Sequence, residues 1–244
     1  AYFETMYTTV KSILAKAGNI NHRYLSKGSS VNKALILITS NRGLAGGYNS
    51  NMVKLILGSD LPKENLKVYA IGKRGAEALR KKGYEVVSVD TDIIEAPTYV
   101  DAMKMANSLL DLFEKDEIGE IYLAYTHFKN TVSHEPTLLK LLPVEIEVNE
   151  EEPETADDKA LMCFEPADVE ALDLLIPKYV TSIIYGALVE AVASENGARM
   201  QAMDSATNNA EEMIDHLTLM YNRARQGSIT QELTEIIAGA EAIS

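Results

Sequence analysis

The sequence predicts an α/β protein with a very long C-terminal helix, and three observations carry that prediction. Between residues 31 and 166, short apolar runs alternate with amphipathic stretches, the order expected of a sheet wound with crossover helices. From about residue 168 to 240 almost every residue is compatible with helix, and no proline follows Pro177. Along that stretch Ile184, Leu188, Ala191, Ala198, Ala202, Ala206, Ala210, Met213, Leu217, Met220 and Ala224 recur at helical spacing and line one side.

The elements follow in order. Residues 1–17 carry Phe3, Met6, Tyr7, Val10, Ile13, Leu14 and Ala17 at steps of three and four, an apolar stripe on a helix that ends near Gly18. Residues 19–30, rich in Asn, Ser and Gly, read as a loop. Strands are expected at 34–39 (ALILIT), 67–71 (KVYAI), 84–89 (YEVVSV), 121–126 (IYLAYT) and 138–146. The first run is continuously apolar, as a strand covered on both faces requires. Helices are expected at 49–57, 74–82 and 98–115, the last opening just after Pro97 and closing before Gly119. At least the first strands are then parallel, and the domain is Rossmann-like. Residues 145–158 (EIEVNEEEPETADD) are dominated by carboxylates and read as a solvated loop without the ligand order of a calcium site. Three units result: a helix over 1–18, an α/β domain over 31–166 and a long helix over 167–244.

Roughly sixty residues of uninterrupted helix make a rod of ~90 Å, longer than a small domain is wide. Its apolar stripe has to meet another helix, so an antiparallel coiled coil of the N- and C-terminal helices is expected. Four alanines at successive four-residue steps suit close helix approach. Residues 1–17 cover only ~25 Å of that rod. Either another chain supplies the remaining partner, or the natural chain begins before Ala1, as the missing start residue and helix cap favour.

Composition narrows the chemistry. With 46% apolar and 24% charged residues and a mean hydropathy of −0.08, the chain has a soluble globular composition. No apolar run approaches the ~20 residues needed to cross a bilayer. Thirty-six acidic residues against 23 basic ones, a net charge of −13, argue against nucleic acid as a partner. One cysteine, Cys163, excludes an intramolecular disulfide and fits a reducing compartment. The four histidines show no zinc-ligand spacing, so neither metal nor cofactor is expected.

Two motifs stand out. The loop Ser40-Asn41-Arg42-Gly43-Leu44-Ala45-Gly46-Gly47-Tyr48-Asn49 leads from a strand into a helix, a place where backbone amides can cradle phosphate. It is neither G-x-G-x-x-G nor a G-K-[ST] loop, and a tight turn explains its glycines as well. No G-x-S-x-G elbow or nucleophile-base pair accompanies it. The second motif, YNRARQGSITQE at 221–232, concentrates directional hydrogen-bonding groups near the far end of the rod, where any contact has to be with a partner. From the residues alone three readings stay open: a shaft-like subunit, a phosphate- or nucleotide-binding α/β enzyme, and a homodimeric coiled-coil scaffold.

ITSNRGLAGGYNSN at 38–51 and the long run from 179 to 240, with ASENGARMQAM and SATNNAEEMIDHLTLMYNRARQGSITQELTEIIAGA, resemble the gamma subunits of F-type ATP synthases. The resemblance implies a non-catalytic rotor shaft inside a hexamer of alpha and beta subunits. Proton flow turns a membrane c-ring at its foot, and rotation drives the beta sites through their conformations. It implies one copy per complex, an epsilon subunit at the foot, and a peripheral location on the cytoplasmic face of a bacterial cell membrane. Carried over by position, Arg225 and Gln226 match contacts to a catalytic-subunit loop, and Arg199, Thr230 and Glu232 match positions linked to coupling with the hexamer. Phe164 and Glu165 match the foot that meets the ring and epsilon. The family often has Tyr at the position of Phe164, and Asp and Cys at those of Asn41 and Ala45.

Overall fold

In the computed structural model, residues 22–131, 133–144 and 168–241 are described. The expected N-terminal helix and its coiled-coil pairing, the acidic loop, Cys163, Phe164 and Glu165 lie outside these residues. By compactness the chain forms two units, Ala1–Arg199 and Met200–Ser244.

The first unit contains one five-stranded sheet. Its strands are β1 (Lys33–Ile38), β2 (Leu66–Ile71), β3 (Glu85–Asp90), β4 (Glu120–Phe128) and β5 (His134–Leu142), in the order β3-β2-β1-β4-β5. The first four strands are parallel, and β5 runs antiparallel to β4. Helices α1 (Tyr48–Leu57), α2 (Lys73–Lys81) and α3 (Tyr99–Glu114) connect them, with one 3₁₀ turn at Lys63–Asn65. Helix α4 (Asp168–Glu241) begins in this unit. The expected mixed architecture, an α/β sheet followed by a long helix, is therefore present.

The alternation of side chains along β1 explains its unbroken apolar run. Leu35 and Leu37 pack with Met52 and Ile56 of α1 and Leu79 of α2, whereas Ala34, Ile36 and Ile38 share a core with α3 and α4. On the latter side α4 contributes Leu172, Ile176, Val180, Ile184 and Leu188, all buried. An 18-residue stretch of α4 has a mean hydropathy of 1.4, enough by composition for a membrane span, but 56% of it is buried, as in a core helix. Strand β5 starts four residues before the expected position because Glu135 and Pro136 interrupt the apolar pattern. At a sheet edge the missing proline donor is tolerated.

The expected loop at 19–30 is irregular where it is described, yet it is fastened. Arg23 reaches Glu114 of α3 (3.2 Å) and Asp173 of α4 (3.0 Å), His22 Nε2 lies 3.2 Å from Asp173, and the buried Tyr24 donates its hydroxyl hydrogen to Glu114. Helix α3 starts in a capping box: Thr98 Oγ1 accepts from the Asp101 amide (3.2 Å) and Asp101 Oδ2 accepts from the Thr98 amide (3.3 Å).

At the N-terminal ends of the central strands Glu120 is buried among cations. Lys33 Nζ stands 2.7 Å from its carboxylate, Lys27 Nζ 3.2 Å and Lys140 Nζ 3.8 Å, and the Tyr122 hydroxyl donates at 3.1 Å. Burial alone would raise its pKa, but the hydrogen bonds from Lys33 and Lys27, the Lys33 charge and the Tyr122 hydroxyl together hold it below the usual carboxylate range.

Two predictions follow from these contacts. Thr98→Ala removes one half of the capping box and should cost about 1 kcal/mol in urea unfolding, with the slope unchanged. Because the folded pKa of Glu120 is depressed, its contribution is complete above the ordinary Glu value of about 4.3 and is lost as pH falls through the lower folded value. Stability measured from neutral pH down into that acid window should therefore fall less steeply in Glu120→Gln, which has no carboxyl to titrate there.

Candidate functional site

The second unit is helix α4 from Met200 onward, and nearly every side chain on it is exposed. Met213, Ile214, Leu217, Met220 and Tyr221, then Ile229, Leu233, Ile236 and Ile237, are large apolar groups without cover among the described residues. Arg225, Gln226, Thr230 and Glu232 sit among them. Arg225 and Glu232, seven residues apart, share one face, and Gln226 and Thr230, four apart, share the adjacent one.

These four residues are not equally available. The hydroxyl of Thr230 donates to the Gln226 carbonyl (2.9 Å), as that of Thr234 does to Thr230 (2.8 Å), so each threonine is turned onto its own helix. The amide of Gln231 donates to Glu235 (3.0 Å). No hydrogen bond or ion pair among the described residues engages the side chains of Arg225, Gln226 or Glu232. They present a five-donor guanidinium, an amide and a carboxylate, a set able to recognise polar backbone and acidic groups on another chain.

Arg199 belongs to the first unit. Its Nη2 donates to Glu195 Oε1 one turn earlier (2.8 Å), and both line a cavity of about 260 Å3 with Asn41, Arg42, Glu95 and Asn196. The expected partner-facing residues are thus not one cluster: four fall within 225–232, Arg199 is apart in the other unit, and Phe164 and Glu165 lie outside the described residues.

The glycine-rich loop is built as a turn. Leu44 and Gly46 adopt positive φ (62° and 52°), and Asn49 closes the loop by accepting from the Ser40 amide (3.0 Å) and donating to Ser40 Oγ (2.7 Å). At the start of α1 the Tyr48 amide donates to Ala45 (3.1 Å) and the Asn51 amide to Gly47 (2.8 Å), which engages donors a phosphate would need. Asn41 donates to the Thr91 carbonyl (2.6 Å) and accepts from the Lys73 amide (3.2 Å), stitching the loop to the ends of β2 and β3. An aspartate there could accept but not donate. Among the described residues no three His, Cys, Asp or Glu side chains group as a metal site.

Sequence reasoning did not find the contacts that hold α4 from behind. The buried Tyr48 donates its hydroxyl hydrogen to the Ala191 carbonyl (3.2 Å) across 143 residues of sequence. Burial, helped by the Glu195 carboxylate, pushes its pKa well above the usual tyrosine value, so it stays a donor. No local pattern signals such a pair.

A sheet that packs on the first part of a 74-residue helix, whose remainder carries an apolar stripe uncovered among the described residues, has the form of a stalk subunit, a chain made to work inside an assembly. The comparisons with known proteins agree. The family described as ATP synthase matches residues 1–243. The ATP synthase gamma chain of Lachnoclostridium phytofermentans is 62% identical, with 100% of this chain and 85% of that one covered. The gamma chain of Acetobacterium woodii, described as sodium ion specific, is 38% identical over 100% and 85%. A chain of the Euglena gracilis mitochondrial ATP synthase, in its OSCP/F1/c-ring structure, shares the fold with a TM-score of 0.67 at 19% identity, over 99% of this chain and 90% of that one. The chain belongs to the ATP synthase gamma chain family. It is the non-catalytic rotor shaft of a membrane-associated ATP synthase, coupling rotation of the ring to the catalytic sites.

The glycine-rich loop can be tested directly. Gly46→Ala forces an L side chain into the left-handed region and should cost about 1–2 kcal/mol of stability. Calorimetric titration with Mg-ATP should give no micromolar binding in either the parent or the variant.

Proposed function

We propose that the section of α4 around Arg225 and Gln226 is where this shaft engages the catalytic subunits. Arg225, Gln226 and Glu232 supply the directional contacts, Thr230 shapes the helix surface between them, and Arg199 contributes from the first unit. The observation that carries this reading is the set of polar groups uncompensated among the described residues, beside an apolar stripe likewise uncovered by them, on a helix of this family. One copy stands within a hexamer of alpha and beta subunits. Phe164 and Glu165 belong to the foot that meets the epsilon subunit and the c-ring, on the cytoplasmic face of a bacterial membrane.

In physical terms the shaft acts as a ligand that binds each conformation of a catalytic subunit with a different free energy. Rotation changes which conformation is favoured at each site, and only that difference does work. A contact equally good in every state would hold the shaft in place and transmit nothing.

Chromatography with light scattering, on the chain mixed with alpha and beta subunits and Mg-nucleotide, should show one copy per hexamer. Arg225→Ala or Gln226→Ala should then weaken the association or the coupled synthesis rate by about tenfold, the loss of one or two charge-assisted hydrogen bonds. Unchanged coupled ATP synthesis in both variants would remove these residues from the interface.

A further inference from the structure

The grip of the first unit on α4 is of two kinds. Over residues 172–188 the contacts are mainly apolar, with one polar tie at their start, where the Asp173 carboxylate meets Arg23 (3.0 Å) and His22 (3.2 Å). Over residues 190–197 they become directional. Tyr48, at the start of α1, donates to the Ala191 carbonyl (3.2 Å). Ser194, fully buried, donates its hydroxyl hydrogen to the Thr126 carbonyl of β4 (3.1 Å). Glu190 pairs with His127 Nδ1, also on β4, at 2.6 Å. At Gly197 the His134 ring of β5 occupies the space of a side chain: a Cβ would lie 2.8 Å from its Cε1 and 3.2 Å from its Nε2.

Gly197 is informative because glycine weakens a helix interior and so requires a reason. At Gly186, Gly227 and Gly239 of the same helix a Cβ would meet nothing within 4 Å. At Gly197 it would meet a ring leaning on Phe128, with centroids 5.9 Å apart, whose two nitrogens are buried without a hydrogen-bond partner among the described residues. The helix is therefore keyed at four positions within two turns, by groups from three different elements of the α/β body.

We propose that this collar is a rotational lock: Tyr48, Ser194, His134 and Gly197 are positioning residues through which torque passes between the α/β body and α4. The proposal rests on the rotor reading. The close-packed apolar seat resists turning by steric fit, and the collar adds directional contacts at one level of the helix. Hydrogen bonds to its backbone and hydroxyl groups, with a ring seated where Gly197 has no side chain, break together if it turns.

The test uses the complete ATP synthase in inverted membrane vesicles, measuring ATP hydrolysis and ATP-driven ion transport, with rotor torsional stiffness read from single-molecule angular fluctuations. Gly197→Val unseats the ring, and the double variant Gly197→Val with His134→Ala returns the space. Tyr48→Phe with Ser194→Ala removes two donors and adds no volume, and decides the matter if Gly197→Val fails to assemble. Expected are hydrolysis within about twofold of the parent, a fall of about threefold in transport per ATP hydrolysed and a lower stiffness, with recovery in the Gly197→Val, His134→Ala pair. Transport per ATP and stiffness at the parent's values in the collar variants would overturn the lock. The parent complex is the control: if it shows no coupled transport that depends on this chain, it is the rotor reading that has failed.

Discussion

The seating of α4 in the α/β body is the interaction on which the rest of the structure depends. A mostly parallel sheet needs both faces covered, and here α1 and α2 cover one while α3 shares the other with α4. Without Leu172, Ile176, Val180, Ile184 and Leu188 the face of β1 that carries Ile36 and Ile38 would be half open. One segment thus closes a domain and begins a shaft, so the body cannot be well folded while the helix is loose.

That double duty explains a local violation. Pro177 stands inside α4, where proline removes a backbone donor and crowds the preceding turn, at a cost of about 3 kcal/mol. Its neighbours Ile176, Tyr179 and Val180 are buried, each contributing about 1.5–3 kcal/mol, so packing outweighs the local penalty. The Thr181 hydroxyl donates to the Pro177 carbonyl (2.8 Å) in the same turn.

Much of the fold was legible because its signals are local. The apolar runs at β1, β2 and β4 and the spacing along α4 need only a few residues of context. The edge strand β5 was displaced in the sequence reading because Pro136 looks like a break until the sheet position is known. The contacts that give the body its rigidity were not legible at all. Glu120 gathers Lys27, Lys33 and Lys140 from three separate segments, Asn41 joins Thr91 to Lys73, and Tyr48 finds Ala191. In each case the chemistry depends on partners that only the fold brings together. The partner-facing residues were legible in another sense, through resemblance to a family, since exposed Arg and Gln on a helix say little by themselves.

The apolar stripe of α4, uncovered among the described residues, also bears on pairing between copies. Residues 200–244 carry seven carboxylates against two arginines, and Glu211, Glu212 and Asp215 lie directly beside Met213, Ile214 and Leu217. Two copies that paired along this stripe would bring the same negative charges into contact, and each also brings a net charge of −13. The helix is sticky toward a differently charged partner and repellent toward itself. Like pairing along the stripe is therefore opposed by electrostatic repulsion, whatever covers this face in the assembly.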